Sequence, residues 1–298
     1  MSAEIGALVE LINQTGGIPI KVTQTTNYWQ FAVTIILSSF AAIFLFGNLL
    51  KEQIINSYGK IKLTIFKKKN RIKNILVIKH TISSWFDQSM IDRNTLKKIQ
   101  SALIKFDGKP FDLILWTPGG EVFSAVYISR MLRKYPGKIR CFIPIYSMSG
   151  GTLLALSTDE IYMNDVSCLG AVDPQLGNLF KFGSARSWKE IVKMKGKKAE
   201  DQSISFKFIG EQYTKSIRNL VKEFLENKVD KKKNLSKLAN LLTSGEIEHG
   251  YNLTKEVLIN YGLKVKDINK KMNKELLKLI KHLPEGVTSV SYTHLRAH

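Results

Sequence analysis

The feature that most constrains the fold of this chain is an uncharged run of 20 residues, 31–50, near its N-terminus. A helix of that length rises about 30 Å, which is the hydrocarbon thickness of a bilayer. Tyr28 and Trp29 precede the run, where amphipathic rings favour the membrane interface. A cleaved signal peptide fits less well, because no basic residue precedes Lys21. We therefore expect a single transmembrane helix over residues 31–50, with a buried core helix as the alternative.

Basic residues flank this run unequally. Residues 1–30 carry Lys21 as their only basic residue, whereas residues 51–73 carry seven lysines and one arginine. Because basic residues favour the cytoplasmic side, we expect a single-pass protein of the cell membrane with residues 1–30 outside and the remainder in the cytoplasm. Residues 51–73 would form a basic juxtamembrane linker or an amphipathic helix that lies near anionic membrane lipid.

The net charge of +20 comes mainly from scattered lysines, with clusters at residues 67–69, 193–198 and 231–233. Nucleic-acid binding is one interpretation of such a charge, but no aromatic residues interleave with these clusters as in a binding module. We expect these lysine clusters to lie on solvated faces of the protein, and we expect no nucleic acid as a partner. The chain has only two cysteines, Cys141 and Cys168, and no Cys/His spacing typical of zinc sites. Composition therefore favours a reducing compartment and predicts neither a metal nor a cofactor.

Short apolar runs alternate with helical patterns through the middle of the chain. Strands are predicted over residues 74–78, 112–116, 138–143 and 160–163. Helices are predicted over residues 92–106, 121–134 and 149–157. Such repeated strand–helix units are typical of a parallel sheet with helical crossovers. Beyond residue 187 the pattern is mostly helical, over residues 206–226, 234–242, 254–260 and 269–281.

Two glycine-rich turns follow neighbouring predicted strands. The sequence TPGG includes Gly119 and Gly120, and the sequence SMSGGT includes Ser149 and Gly150 at the start of a predicted helix. Taken alone, the first turn could be a purely structural turn, and a serine at a helix start is more often an N-cap than a nucleophile. Together they place amide donors and a hydroxyl at neighbouring carboxyl ends of a parallel sheet, where open α/β sheets carry their sites. The pair therefore predicts Ser149 as a nucleophile beside an oxyanion hole.

Residues 112–177 resemble the serine dehydrogenase proteinase family, which comprises membrane-anchored relatives of signal-peptide peptidase A and the Clp proteases. The motifs TPGG, YSMSGGT, ALSTDEI and LGAVDPQLG occur in the order and spacing of that family, and residues 245–265, around His249, resemble it more weakly. The resemblance spans about residues 28–270. It implies an α/β Clp/crotonase-like fold over residues 74–283 and a self-associating serine peptidase of peptides or membrane-protein segments. It also implies Ser149 as nucleophile, with Gly119, Gly120 and Gly150 around the oxyanion.

The general base is less well defined by this resemblance. The Clp proteases carry a histidine at about the position of Asp173, and an aspartate alone is a poor base, so a triad of that layout is not supported. The related membrane peptidases use a lysine with a lowered pKa, for which Lys193, Lys195 and Lys215 are candidates. We favour Lys215, although it lies off the apolar stripe of its helix. His249 is the rival base, and Asp173 is expected to orient a base or to cap a loop.

Two alternatives to a peptidase remain open. One is a membrane scaffold that kept the fold and lost the chemistry. The other is a crotonase-like protein that handles acyl-CoA thioesters, which would not need a serine in the second turn. A nitrogen base beside the Ser149 hydroxyl separates the peptidase from the scaffold.

Two further segments carry expectations. Trp85, Phe86 and Met90 are expected in the core, with the lining of a substrate groove as the alternative. Residues 289–298 break the lysine-rich style of the preceding chain and resemble the translation of a sequencing adaptor. We expect these residues to be a non-native tail, and we therefore give His294 and His298 no functional role.

Overall fold

The chain divides between residues 53 and 54 into two compact units. A computed structural model describes residue 10 and residues 28–81, 89–178 and 181–291. The first long element is the helix α1, Tyr28–Lys69. Trp85, Phe86, His294 and His298, together with most of the predicted extracytoplasmic segment, lie outside the described residues.

The apolar part of α1 matches the predicted transmembrane segment in length and composition. Within the described ranges, α1 is the one helix long and apolar enough to cross a membrane, and its most apolar window has a mean hydropathy of 2.1 with none of its residues buried. Phe40 and Ile43 are about 70% exposed. An apolar surface of this kind is costly in water, and its burial in lipid stays a prediction.

The C-terminal part of α1 belongs to the second unit. Leu63 and Phe66 are buried in an apolar cluster that also contains Ile75 and Leu279. Residues 54–69 continue the helix and supply side chains to the folded domain, so of the two predictions for residues 51–73, a linker or an amphipathic helix, the structure has the helix up to Lys69.

The elements that follow in the second unit run in this order: β1 Ile75–Lys79, α2 Arg93–Phe106, β2 Phe111–Trp116, α3 Val122–Arg133, β3 Ile139–Ile143, β4 Tyr146–Ser147, α4 Gly150–Ser157, β5 Glu160–Met163, β6 Cys168–Leu169, β7 Gln175–Gly177, β8 Phe182–Ser184, α5 Ala185–Lys195, a short 3-10 helix Gly196–Lys198, α6 Asp201–Leu225, α7 Lys232–Thr243, β9 Leu253–Thr254, α8 Lys255–Asn260, β10 Val265–Asp267, α9 Lys270–Lys281 and β11 Gly286–Val290. Every predicted strand and helix between residues 74 and 163 is present to within two residues at each end.

The main sheet has six strands in the order β10-β5-β3-β2-β1-β11. All neighbours pair in parallel except β11, which runs antiparallel to β1 at one edge. Alternate residues of β1 serve opposite faces, as strand geometry requires: Leu76 and Ile78 belong to one apolar cluster, and Ile75 and Val77 to another. This parallel sheet with helical crossovers confirms the predicted α/β class.

Local capping explains why α2 begins and ends where it does. The carboxylate of Asp92 accepts a hydrogen bond of 2.7 Å from the Thr95 N–H, and Asp107 adopts the left-handed conformation that ends the helix. The start of α2 lies next to the first glycine-rich turn, because Ile91 and Gly120 form a parallel β-bridge. The cap of α2 therefore helps to hold that turn.

Strand β11 includes the first residues of the segment that we expected to be a non-native tail. Ser289 pairs with Leu76 and Val290 pairs with Ile75, so the chain up to Val290 contributes to the sheet. Residues 292–298 lie outside the described ranges, and their origin stays a prediction.

Candidate active site

The two glycine-rich turns meet at the carboxyl ends of β2 and β3. Thr117 and Ser147 form a parallel bridge between them. The Thr117 N–H donates to the Tyr146 carbonyl at 3.2 Å, and the Met148 N–H donates to the Thr117 carbonyl at 2.9 Å. The backbone therefore locks the turn that carries Gly119 against the turn that carries Ser149.

Ser149 adopts a strained backbone conformation, with φ 49° and ψ −119°. Among the described residues it is one of three other than glycine with a positive φ. Its side chain makes no capping hydrogen bond to α4, which removes the N-cap as the reason for a serine at this position. Non-glycine residues in such conformations cluster at functional sites, and a nucleophile on a sharp strand-to-helix turn is held in this way.

Close approach to Ser149 explains the glycine at position 119. Gly119 has φ 109°, and a Cβ added there would lie 2.7 Å from the Ser149 Cβ. On the other side, a Cβ added to Gly150 would lie 2.8 Å from the Ala125 Cβ of α3. Side chains at either position would displace the serine or the helix behind it.

The amide groups of the three predicted oxyanion glycines differ in their partners. The Gly119 N–H donates to the Thr117 hydroxyl at 3.1 Å. The N–H groups of Gly120 and Gly150 donate to no other described residue. These two residues lie close together, because a Cβ built on Gly150 would be 3.6 Å from the Gly120 nitrogen. Gly120 and Gly150 therefore offer amide donors beside Ser149, while Gly119 permits the close approach.

Asp173 and His249 form a hydrogen-bonded pair. The His249 Nδ1 lies 2.7 Å from Asp173 Oδ1, and Gln175 Nε2 donates to Asp173 Oδ2 at 2.8 Å. The Asp173 side chain is only 3% exposed, whereas the His249 side chain is 36% exposed. Gln175 Nε2 also lies 3.2 Å from His249 Nδ1, but the shorter contact assigns the Nδ1 proton to the carboxylate. A neutral ring held in this tautomer has an unprotonated Nε2, as a general base requires.

One cavity of about 720 Å³ brings most of the predicted site residues together. Ser149, Gly120, Gly150, Asp173 and His249 all line it. Its remaining walls are largely apolar, with contributions from Met90, Val122, Ala125, Val126, Leu153, Val172, Phe182 and Ile217. Met90, 41% exposed, thus lines a groove rather than the core.

The lysines considered as the base lie elsewhere. Lys215 is exposed on α6 and lines a separate cavity with Arg186, Lys189 and Glu211. Lys193 and Lys195 are exposed on α5. The structure therefore does not bring our favoured base, Lys215, to Ser149, because the face of α6 that reaches the serine cavity carries Ile217 instead. Among the described residues, no group of three or more His, Cys, Asp or Glu side chains could hold a metal ion.

Both residues were predicted site candidates, His249 as the rival base and Asp173 as a residue that orients a base, but their pairing with each other was not predicted. The two residues are 76 positions apart, so no local pattern connects them. The available signal was the joint presence of the DPQ motif and the histidine segment at residues 245–265. His80 was also missed. It is buried at the end of β1 and lies 3.1 Å from the hydroxyl of Thr117.

Comparisons with known proteins show what the chain resembles. Two uncharacterized proteins of Methanocaldococcus jannaschii match it. One is 39% identical over 158 residues, which are 53% of this chain and 54% of that protein. The other is 35% identical over 176 residues, which are 59% of this chain and 58% of that protein. The chain thus spans little more than half the length of these curated relatives.

Two solved structures are also similar. One is a mutant of the membrane-bound stomatin-specific protease 1510-N, with 16% identity over 69% of this chain and 89% of that chain, and a TM-score of 0.44. The other is ClpP1 from Listeria monocytogenes, with 12% identity over 66% of this chain and 94% of that chain, and a TM-score of 0.41. Both scores lie below 0.5, so the assignment to a family rests on sequence.

The sequence model of one family, described as ClpP-like SDH-type serine proteinase, matches residues 60–295. That match covers most of the chain, including both glycine-rich turns, Asp173 and His249. It confirms the family predicted from the motifs. The chain belongs to the ClpP-like SDH-type serine proteinases.

Proposed function

We propose that this protein is a membrane-anchored serine endopeptidase that cleaves peptides or membrane-protein segments at the cytoplasmic face, through an acyl-enzyme on Ser149. The observation that carries the proposal is the shared cavity of the strained Ser149 and the buried Asp173–His249 pair. Membership of a serine proteinase family supports the same reaction class.

In this mechanism, His249 is the base and Asp173 orients it. The Ser149 Oγ attacks the carbonyl carbon of the scissile amide while its proton passes to His249 Nε2. The tetrahedral oxyanion accepts hydrogen bonds from the N–H groups of Gly120 and Gly150. His249 then returns the proton to the leaving amine as the C–N bond breaks. Water, deprotonated by the same histidine, hydrolyses the ester and frees Ser149.

The apolar walls of the cavity favour substrates with apolar side chains beside the cleaved bond. Val122 and Val126 of α3 and Leu153 of α4 line the cavity next to the serine turn. Burial of such a substrate side chain supplies binding free energy without an ionic partner. Segments of membrane proteins are rich in such residues.

The membrane anchor and self-association belong to the same proposal. The exposed apolar part of α1 and the basic residues that follow it support insertion with a cytoplasmic catalytic domain. Exposed apolar side chains on α6, such as Phe208 and Tyr213, support contact with another copy of the chain. Carbonate extraction of membranes and analytical ultracentrifugation in detergent test these two points.

Labelling with a serine-reactive fluorophosphonate tests the reaction. We expect the parent protein to be labelled, Ser149→Ala to be unlabelled, and His249→Ala to be labelled slowly. Labelling of Ser149→Ala at the parental rate would overturn the nucleophile. A parent protein that is folded but never labelled would favour the inactive scaffold, and hydrolysis of acyl-CoA in preference to peptides would favour the thioester alternative.

A further inference from the structure

Thr117 is the first residue of the first glycine-rich turn and directly follows β2. Its side chain contacts His80, which directly follows the neighbouring strand β1. Thr117 is fully buried. Its hydroxyl lies 3.1 Å from the Gly119 nitrogen and 3.1 Å from His80 Nδ1. The Gly119 carbonyl in turn accepts a 2.8 Å hydrogen bond from the Ile91 N–H. Gly119, whose carbonyl shares a peptide unit with the Gly120 N–H, is therefore held at both its N–H and its carbonyl.

Donor and acceptor chemistry restricts where the protons of this network can lie. An N–H can only donate, so the Thr117 Oγ accepts from Gly119. The single hydroxyl proton then has two possible acceptors, His80 Nδ1 at 3.1 Å and the Gly119 carbonyl at 3.5 Å. Donation to His80, the nearer of the two, requires a neutral ring with its proton on Nε2.

The surroundings of His80 keep the ring in that neutral state. The residue is 1% exposed, and its backbone N–H donates a hydrogen bond to the Trp116 carbonyl at 2.7 Å. Burial lowers the pKa of His80 to about 4, against smaller opposing effects of Glu285 and Asp92, while Lys98 lowers it further. A neutral imidazole at the pH of the cytoplasm can accept the threonine proton, whereas an imidazolium could only donate.

We propose that His80 is a positioning residue for the oxyanion hole. By accepting the Thr117 proton, it directs a lone pair of the Thr117 oxygen towards the Gly119 N–H and so fixes Gly119, the residue that precedes the Gly120 amide. His80 does not itself line the cavity that contains Ser149. This inference rests on the proposed function, because it concerns the amide that binds the oxyanion.

The test uses the full-length protein in detergent and a small alkyl fluorophosphonate, whose P–O group occupies the oxyanion hole as Ser149 is phosphonylated. His80→Leu and Thr117→Val remove the acceptor and the hydroxyl, respectively. We expect both to lower the maximal labelling rate by on the order of 10²-fold, with the concentration for half-maximal rate unchanged, since misplacement of a reacting group costs about that much. His80→Asn restores an acceptor near the Nδ1 position and Thr117→Ser keeps the hydroxyl, so both should label within a few-fold of the parent.

Each outcome decides a different point. An unlabelled parent protein overturns the proposed function. A labelled parent, with His80→Leu and Thr117→Val at the parental rate, overturns the positioning role alone. In the variant that combines His80→Leu with Thr117→Val, a fold-loss in labelling rate equal to the product of the two single losses would also contradict the positioning role. Two members of one network should cost no more together than either costs alone. If His80→Leu does not fold, as judged by circular dichroism, the comparison of Thr117→Val with Thr117→Ser decides.

Discussion

The buried carboxylate of Asp173 accepts a 2.7 Å hydrogen bond from Nδ1 of His249, a residue 76 positions later in the chain. Gln175 supplies a second hydrogen bond to the other carboxylate oxygen. A carboxylate held in this way orients the imidazole and stabilises the imidazolium that forms when the ring takes a proton. Ser149 lines the same cavity. We therefore expect a small chemical change in the Asp173–His249 pair to have a large effect on catalysis.

Asp173→Asn replaces the carboxylate by an amide of the same shape. The amide favours the wrong tautomer of His249, and we expect kcat for peptide cleavage to fall by about 10⁴-fold with little change in KM. Asp230→Asn is the matched control, because Asp230 is an exposed carboxylate that pairs with Lys264. Equal activity of the two variants would contradict the role of Asp173.

Lys215→Ala should leave the rate of peptide cleavage within about twofold of the parent, because an exposed lysine outside the serine cavity takes no proton from Ser149. Lys222→Ala, which alters the same separate cavity, is the control for a change in surface charge. A loss of two orders of magnitude or more in Lys215→Ala alone would restore the serine–lysine mechanism and remove His249 as the base.

Gly119→Ala should abolish fluorophosphonate labelling while the protein still folds. The new Cβ would lie 2.7 Å from the Ser149 Cβ, at a φ of 109° that an alanine rarely adopts. We expect a cost in stability of about 1–3 kcal/mol from the strained backbone. Gly183→Ala is the control, because its Cβ would meet only ordinary contacts of 3.6 Å or more. Parental labelling of Gly119→Ala would show that the turn does not approach the nucleophile so closely.

Acidification should destabilise the protein through His80. Burial lowers the pKa of His80 from 6.5 to about 4, so the unfolded chain binds this proton more readily than the folded one. The stability that the neutral ring contributes is complete above pH 6.5 and is lost as the pH falls towards 4, by up to about 3 kcal/mol. Thermal unfolding in detergent between pH 7 and 4 measures this loss.

His80→Asn should lose less stability than the parent over the same pH range, because an amide does not titrate. Glu160, whose pKa the neighbouring Lys138 and Lys266 lower from 4.5 to about 2, contributes stability that is lost as the pH falls from about 4.5 towards 2, and this loss is common to both proteins. Parallel Tm curves for the two proteins would contradict a buried neutral histidine.

Peptides with leucine or phenylalanine beside the cleaved bond should be cut faster than peptides with aspartate or glutamate there. The walls of the serine cavity include Val126, Leu153 and Ile217, which offer no partner to a buried charge. We expect a difference in kcat/KM of at least about 10–200-fold, which is the effect of a single methylene group in an apolar pocket. Val126→Lys should reduce the difference in kcat/KM between apolar and acidic peptides. If the ratio of the two kcat/KM values does not change, Val126 does not contact the substrate.

Much of the fold could be predicted because its signals are local. The strands β1, β2, β3 and β5 are short apolar runs, and the helices between them have a matching periodicity, so each element follows from residues within a few positions of one another. Strands β10 and β11 could not be predicted in this way. They are short and weakly apolar, and they form only because the edges of the main sheet offer them unpaired backbone groups.

By itself, the sequence determined the alternation of strands and helices, the apolar length of α1, and the position of Ser149 in the second of two glycine-rich turns. The tertiary structure alone decided the partners of that serine. Lys215 and His249 are both remote from Ser149 along the chain, and both carry a nitrogen base. Only the packing of α6 and the loop after α7 places Lys215 in solvent and His249 beside Asp173. The reason is physical: a hydrogen bond or a shared cavity depends on distance in space, and sequence patterns record neighbours only within one element.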